Sequence, residues 1–279
     1  MTNWEEQRKG RETAVNVQAA QTAEAAQAAK TIQAAQTALR EKAVAVTGLS
    51  KSYSGKKVIE NLNLTIRTGQ IYGLLGANGA GKSTAVECIL GTRRADSGEV
   101  RILGLDPVTE RRHLFEQVGV QFQEASYPDR IKVRELCEET ACLYEKTADY
   151  RDLLRQFKLE DKADSMLSQL SGGQKQRLFI ILALIPGPRV VFLDELTTGL
   201  DTKSRREVWK CLLEMKDKGL SICLVSHFMD EVEMLCDQIG ILRNGMFVFE
   251  GTVKEAVDNS PYSNLEDAYL WWTQEEENR

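Results

Sequence analysis

The chain has 279 residues, of which 42% are hydrophobic and 7% aromatic, so it can bury a substantial core in one large or two small domains. Its 36 basic and 41 acidic residues give a formal net charge of −5, and no basic stripe indicates a nucleic-acid partner. The sequence has neither a long apolar span nor a secretion signal, which predicts a cytosolic chain with six reduced cysteines.

The first 42 residues differ in composition from the rest of the chain. They are rich in Ala, Gln and Thr, and the run Gln18–Ala23 recurs as Gln33–Ala38. Ala and Gln favour helix, but large apolar residues are too few to form a continuous stripe. We therefore predict that residues 1–42 form an extension that is helical or disordered. A helix that docks on a partner is the alternative, and the sequence shows no anchor pattern for it.

From Ala43 onward, strand and helix patterns alternate. In the first half, strands are predicted over 43–49, 58–66, 70–75, 99–103 and 118–122. A helix is predicted over 83–90 and a turn over 96–98. Residues from about 132 to 169 have a helical pattern that is interrupted near Thr147 and Lys158.

The second half of the chain alternates regularly between helices and strands. After residue 171 the predicted elements are a helix, a strand over 190–193, a helix over 203–216, a strand over 221–225 and a helix over 229–236. This alternation indicates parallel strands joined by crossover helices. Two further strands, 238–242 and 246–250, flank the hairpin signal Asn244-Gly245, and a helix is predicted near the end, over 265–272.

Residues 76–83 read Gly-Ala-Asn-Gly-Ala-Gly-Lys-Ser, a complete phosphate-loop pattern between a predicted strand and a predicted helix. Its glycines let consecutive backbone N–H groups point inward, and the following helix N-terminus favours an anion. Lys82 adds a positive charge for the β- and γ-phosphates, and the Ser83 hydroxyl suits Mg²⁺. The residues expected to hold the nucleotide here are Gly76, Ala77, Asn78, Gly79, Ala80, Gly81, Lys82, Ser83 and Thr84.

Two carboxylates, Asp194 and Glu195, end the apolar run Val190–Leu193. A solvated strand end is the simplest explanation, but acids contribute nothing to the packing of a buried strand. In phosphate-loop enzymes a second acidic element holds Mg²⁺, which is the role expected for Asp194. Glu195 would orient and polarise the attacking water as a general base.

The run Leu170–Gln174, Leu-Ser-Gly-Gly-Gln, lies between these two parts of the predicted site. Ser171 fits a helix N-cap, and two glycines permit close backbone approach, so the run predicts a second phosphate-binding helix start. Its distance along the chain makes it hard for both helix starts to hold one phosphate within one subunit. Together with the phosphate loop, the run resembles the signature motif of the ABC transporter ATPases, and this resemblance covers the chain from about Val44 to the C-terminus.

The resemblance implies an α/β fold of the P-loop NTPase (ABC ATPase) class. Its parts would be a mixed, largely parallel core sheet, an antiparallel β subdomain and an α-helical subdomain at about 124–185. The ATP-binding domain would occupy residues 43–279. Beyond the phosphate loop, the resemblance implies roles for a further group of residues: Gln123, His227, Tyr53, Ser171, Gly173 and Gln174.

Each of these roles follows from the position of the residue in the family pattern. Gln123 would contact Mg²⁺ and the attacking water, and His227 would contact the γ-phosphate. Tyr53 would stack on adenine, although packing within a strand is the alternative for this aromatic. Two copies would pair head to tail, so that the signature residues Ser171, Gly173 and Gln174 of one copy close over the ATP of the other. The second histidine, His113, receives no role.

As a whole, the resemblance implies an ATPase that uses ATP and Mg²⁺ and drives export through a separate membrane permease, held at the inner face of the cell membrane. The likeness to drug, antibiotic-peptide and sodium exporters rests on the short C-terminal part and on Asn264–Tyr269. Two alternatives remain: a soluble ABC ATPase acting on ribosomes or DNA, and a weakly hydrolysing regulatory subunit. The second is motivated by Leu196 and Thr202, which stand where the family usually has proline.

Overall fold

The structure, a computed structural model, describes residues 42–121 and 127–274. The predicted extension therefore lies outside the described residues except for Lys42, and so does Gln123. The strands are β1 (Lys42–Tyr53), β2 (Lys56–Arg67), β3 (Ile71–Gly76), β4 (Ser97–Ile102), β5 (Val118–Gln121), β6 (Val190–Asp194), β7 (Ser221–Val225), β8 (Gln238–Arg243) and β9 (Met246–Gly251). The helices are α1 (Lys82–Ile89), α2 (Arg111–Phe115), α3 (Val133–Ala141), α4 (Tyr150–Gln156), α5 (Gly172–Leu184), α6 (Thr202–Asp217), α7 (Met229–Leu235), α8 (Val253–Asp258) and α9 (Leu265–Thr273).

The larger sheet has the strand order β5-β6-β7-β3-β8-β9. The first five strands of that order are parallel and β9 runs antiparallel to β8. Strands β3 and β7 are buried along their whole length, as expected for parallel strands covered on both faces. The carboxyl ends of parallel strands meet at one edge, so Gly76, Asp194 and Val225 all end at the same side of the sheet.

Side chains of the larger sheet alternate between its two faces and enter three apolar clusters, two of which meet at β6. On β6, Val191 and Leu193 pack with α5 and α6 residues such as Leu178 and Leu212. Val190 and Phe192 face the other core, which contains α1 and the smaller sheet. The alternation fixes the orientation of β6, and with it the position of the two acids at its end.

The smaller sheet is antiparallel and has the order β2-β1-β4. Strand β1 extends beyond the predicted range to Tyr53, because a tight turn with positive φ at Ser54 and Gly55 (49° and 81°) brings β2 back along it. The turn predicted over 96–98 is only partly correct, since β4 already begins at Ser97. Gly98, at φ 100°, lies so close to β1 that an added Cβ would be 2.6 Å from the Leu49 backbone.

Between β5 and β6 the described chain is helical, with α3, α4, two short 3₁₀ turns over 160–162 and 167–169, and α5. The predicted interruptions near Thr147 and Lys158 are confirmed, and Lys158 has a positive φ of 55° just after α4. Helices α2 and α8 were not predicted. All six cysteines are free. None of the helices in the described ranges is both long and apolar enough to cross a membrane.

Candidate active site

A cavity of about 550 Å³ opens at the edge of the larger sheet where β3, β6 and β7 end. It brings together most of the residues that the sequence predicted for the nucleotide site. Its lining consists of Tyr53, Val58, Asn78, Gly79, Gly81, Lys82, Ser83, Thr84, Asp194, Glu195, Val225, Ser226 and His227. Gly76, Ala77 and Ala80 belong to the same loop but do not line the cavity. Gln123 lies outside the described residues.

The phosphate loop turns sharply between β3 and α1, and glycine is required at its ends. Gly81 has φ 107°, and a Cβ there would be 2.7 Å from both Ile59 Cδ1 and Val58 O. At Gly76 a Cβ would be 2.5 Å from the carbonyl oxygen of Leu242. No side chain of the described residues caps the start of α1, so its first N–H groups stay available to an anion.

Lys82 folds its side chain over this loop. Its Nζ donates hydrogen bonds to the carbonyl oxygens of Gly76 at 2.7 Å and Ala77 at 3.1 Å. Burial lowers the pKa of Lys82, while the charges of Asp194 and Glu195 act in the opposite direction. A negatively charged ligand in the cavity would stabilise the charged ammonium, since it would compensate the lost hydration.

Asp194 lies at the end of β6, partly buried in the cavity wall. Its pKa is raised, first by burial and then by the neighbouring charge of Glu195, against the opposing effects of Lys82 and His227. A bound cation would stabilise the ionised form of such a carboxylate. With the Ser83 hydroxyl in the same cavity it forms a set of hard oxygen donors, which fits Mg²⁺ bound by few protein ligands together with phosphate and water. Within the described residues no cluster of three or more acids, histidines or cysteines offers another such site.

Glu195 adopts a left-handed backbone conformation with φ 51°, which is unfavourable for a residue with a side chain. Two hydrogen bonds hold it there. Its N–H donates to Val225 O at 3.0 Å, and its carbonyl oxygen accepts from Gln176 Nε2 of α5 at 3.0 Å. The side chain then points toward His227, whose Nδ1 is 3.7 Å from Glu195 Oε1. The structure thus places the predicted base beside the histidine that is expected to contact the γ-phosphate.

The two departures from the family pattern occupy different environments. Leu196 is completely buried in the apolar core, next to the doubly anchored backbone of Glu195. Thr202 is the first residue of α6 and is exposed, and the carboxylate of Asp201 caps that helix. Hydrogen bonds anchor the backbone of Glu195 and the start of α6, next to the two departures.

Tyr53 ends β1 at the rim of the cavity, with 38% of the residue exposed. Two cations approach its ring: Lys51 Nζ is 5.5 Å and the Arg93 guanidinium carbon 5.4 Å from the ring centroid. Arg93 is itself fixed by Glu87 of α1, with Nε 2.6 Å from Oε2. The ring therefore lies at the rim of the cavity with two cations beside it.

The signature residues lie away from this cavity. Ser171 caps α5, since its Oγ accepts from Gln174 N at 3.2 Å while Ser171 N donates to Gln174 Oε1 at 2.9 Å. Gly173 packs against the loop after β6, where a Cβ would be 2.9 Å from Leu200 Cδ2, whereas Gly172 has open space. The structure brings Ser171, Gly173 and Gln174 together with each other but not with the phosphate loop.

The sequence analysis missed Ser226 and Gln176. Ser226 lines the cavity directly before His227, so its position beside a predicted site residue was an available signal. Gln176 contacts Glu195 across a long sequence separation, and no local pattern reveals that contact.

Comparison with known proteins gives a consistent result. The family model described as ABC transporter matches residues 59–198. The Nod factor export ATP-binding protein I of Rhizobium meliloti (strain 1021) is 39% identical over 222 residues, which cover 77% of this chain and 66% of that protein. The protein of the same name from Burkholderia lata is 36% identical over 217 residues, covering 76% of this chain and 71% of its own. The chain thus spans about two thirds of the length of these relatives.

Solved structures match the fold over most of the described residues. An ATP-binding subunit of an ABC transporter superposes with a TM-score of 0.76 and 26% identity, covering 83% of this chain and 99% of that one. A dimeric ATP-binding cassette in a post-hydrolysis state, bound to ADP and Pi, gives a TM-score of 0.68 with 23% identity, over 75% of this chain and 98% of that one. The expected α/β P-loop fold, with its antiparallel sheet and helical region, is confirmed.

Proposed function

Because the chain belongs to the ABC transporter family of ATP-binding proteins, we propose that it is the ATP-hydrolysing subunit of an exporter whose membrane permease is a separate chain. One observation carries the proposal. A single cavity holds the phosphate loop, the two carboxylates of β6 and His227, each at the carboxyl end of a neighbouring parallel strand. Ligands of open α/β sheets bind at that edge.

The residues around the cavity divide the chemistry among them. The loop from Gly76 to Thr84 binds the phosphates through backbone N–H groups, with Lys82 on the β- and γ-phosphates. Ser83 and Asp194 hold Mg²⁺, with Gln123 as a further ligand. When bound, the ion neutralises developing charge on the phosphoryl oxygens. Tyr53 stacks on the adenine base.

Hydrolysis depends on the pair Glu195 and His227. The carboxylate of Glu195 orients the attacking water and accepts its proton, and a general base of this kind contributes about 10²–10⁴ in rate. His227 donates a hydrogen bond to the γ-phosphate. Their separation of 3.7 Å supports this division, because both side chains reach the same volume of the cavity.

A second copy completes the site. Ser171, Gly173 and Gln174 lie outside the cavity of their own subunit, so a head-to-tail partner would bring them over its bound ATP. The dimeric cassette among the structural neighbours supports a dimer. We further propose that residues 43–279 form the ATP-binding domain, with a helical subdomain at about 124–185 and with residues 1–42 as a separate extension.

Export through a permease is supported by the relatives, whose name assigns them to Nod factor export. The proposed location is the inner face of the cell membrane, where a permease would hold the subunit. Co-purification of the tagged chain with a multi-helix membrane protein would support this part of the proposal. Isolation on ribosomes or DNA instead would contradict it.

The first experiment compares Glu195→Gln with the wild-type protein by light scattering on a sizing column, with and without ATP and Mg²⁺. We expect Glu195→Gln to bind ATP, to lose turnover and to accumulate as a dimer. Glu266→Gln, which changes an exposed carboxylate of α9, serves as the matched control and should turn over normally. Wild-type turnover of Glu195→Gln would remove Glu195 as the base. Bound ATP without a dimer would contradict the composite site in the isolated subunit.

A further inference from the structure

Glu231 of α7 is a carboxylate buried completely inside the protein, with 0% of the residue exposed. It lies outside the cavity lining, and none of the roles above uses it. Burying a carboxylate costs several kcal/mol unless hydrogen bonds or opposite charges compensate it, so such a group needs a specific reason to be there. Burial raises the pKa of Glu231, while the surrounding donors and Arg205 oppose that effect.

The neighbours of this carboxyl come from three different segments. Ser226 Oγ donates to Oε2 at 2.6 Å, and Trp209 Nε1 of α6 donates to Oε1 at 3.2 Å. The buried Thr197 hydroxyl is the third polar neighbour. Its contact is looser, because its oxygen makes no hydrogen bond within 3.5 Å to a described residue.

Two of these neighbours stand directly beside the proposed hydrolytic pair. Thr197 follows Glu195 by two residues in the loop after β6, and Ser226 immediately precedes His227 in the loop after β7. Ser226 Oγ also accepts a hydrogen bond from Phe228 N at 3.1 Å, so the backbone is fixed on both sides of His227. The buried carboxyl therefore hydrogen-bonds the loop after β7, and the Thr197 hydroxyl of the loop after β6 is its neighbour.

We propose that Glu231 is a positioning residue for ATP hydrolysis, which holds the loops after β6 and β7 at the spacing that Glu195 and His227 require. The inference rests on the proposed roles of that pair. Its reason is geometric: a displacement of about 1 Å of a catalytic group can cost about 10²-fold in rate. Glu231→Gln removes one acceptor oxygen. Because the Trp209 N–H can only donate whereas the Ser226 hydroxyl can also accept, the amide oxygen would face Trp209 and leave the Ser226 proton without an acceptor. The loops would then shift while the nucleotide-binding residues stay in place.

Steady-state ATPase kinetics and urea unfolding of the full chain test this inference. For Glu231→Gln we expect kcat to fall about 10- to 100-fold, with the KM for ATP unchanged within about twofold. Ser226→Ala should give a similar loss, and the double variant should be no worse than the single ones, because both changes break one contact. Tyr72→Phe is the control, since it removes another hydroxyl–carboxyl bond, in which buried Tyr72 donates to exposed Glu250 at 3.0 Å. It should leave kcat unchanged.

Three results would overturn the inference. They are wild-type kcat in folded Glu231→Gln, a loss of kcat in Tyr72→Phe as large as that in Glu231→Gln, and additive losses in the double variant. If Glu231→Gln does not fold, Ser226→Ala decides alone by its kcat. Failure of the proposed function is recognised separately, because Glu195→Gln would then retain turnover. If Glu195→Gln loses ATPase turnover while Glu231→Gln retains it, only the proposed role of Glu231 is contradicted.

Discussion

Helix α1 follows a glycine-rich run and α5 begins with two glycines, but only α5 is capped by its own side chains. At α1 the preceding residue is Gly81, in a left-handed conformation, and no described side chain accepts from the first turn. At α5, Ser171 and Gln174 exchange two hydrogen bonds in a capping box. The first helix start faces the cavity, and the second lies outside it.

If both helix starts bind phosphate as proposed, the difference represents two ways of preparing them for it. The start of α1 leaves its donors unpaired and depends on the ligand to satisfy them. The start of α5 is stable by itself and still has donors left. Within the described residues the N–H groups of Gly172 and Gly173 have no acceptor, and the Ser171 hydroxyl accepts through its oxygen while keeping its proton to donate. A self-capped start of this kind suits a phosphate that arrives with another subunit.

Lys82→Ala should give the largest effect, at the α1 side of the comparison. The ammonium would make two charge-assisted hydrogen bonds to the phosphates, each worth about 1.5–3 kcal/mol, so ATP affinity should fall by at least about 100-fold. Titration of labelled ATP measures the change. Lys254→Ala, an exposed lysine of α8, is the control and should bind normally. Unchanged affinity in Lys82→Ala would rule out the phosphate-loop assignment.

Gly173→Ala and Gly172→Ala form a matched pair at the α5 side. The Cβ of Ala at position 173 would press on Leu200 Cδ2 at 2.9 Å, which should destabilise the protein by about 1–2 kcal/mol and disturb the loop after β6. At position 172 the space is open, and the better helix propensity of Ala should leave stability equal or higher. Urea unfolding and ATPase rates of both variants measure the difference. Equal effects at the two positions would show that Gly173 has no packing constraint.

Ser171→Ala should separate the two functions of the α5 start. Loss of the cap should lower the free energy of unfolding by about 1 kcal/mol. ATP binding by the monomer should not change, because Ser171 lies outside the cavity. Introduced into Glu195→Gln, it should weaken the ATP-dependent dimer seen by light scattering. A dimer of full strength would mean that the Ser171 hydroxyl does not contact the partner's ATP.

The parts of the molecule that the sequence predicts are those encoded within a few consecutive residues. The apolar runs of β3, β6 and β7 and the glycines of the phosphate loop are of this kind, and the capping residue Ser171 was also expected at its helix start. Helices α2 and α8 were missed because five or six residues are too few to show a helical period.

Contacts between distant segments could not be predicted in the same way. The hydrogen bond from Gln176 to Glu195 joins α5 to the end of β6, and the Glu231 carboxyl joins three segments. Neither has a local pattern, because a glutamate within a helix is normally an exposed residue. The roles of the site residues, including Gln123, therefore stay predictions until the variants are measured.

Thr202→Pro should give the smallest effect, at a third helix start that has no proposed ligand. Asp201 closes the start of α6 by accepting from Lys203 N and Ser204 N, both at 3.0 Å, and the Thr202 N–H has no acceptor among the described residues. Proline is favoured at this first helical position, and Asp201 already has the extended backbone that a following proline requires, with φ −68° and ψ 161°. We expect a gain of about 0.5–1 kcal/mol in the free energy of unfolding, by urea denaturation, and unchanged ATPase turnover.

Leu196 is the other position where the family usually has proline. Proline there should have the opposite effect, so Leu196→Pro serves as the control for Thr202→Pro. Leu196 is completely buried, and Glu195 before it has φ 51°, outside the range favoured before proline. Leu196→Pro should therefore destabilise the protein by at least about 2 kcal/mol through lost packing alone. If Thr202→Pro lowered stability as well, the Asp201 carboxylate would not be enough to cap the start of α6. The start of α6 could then no longer serve as the example of a helix start that is capped by its own side chain and binds no ligand.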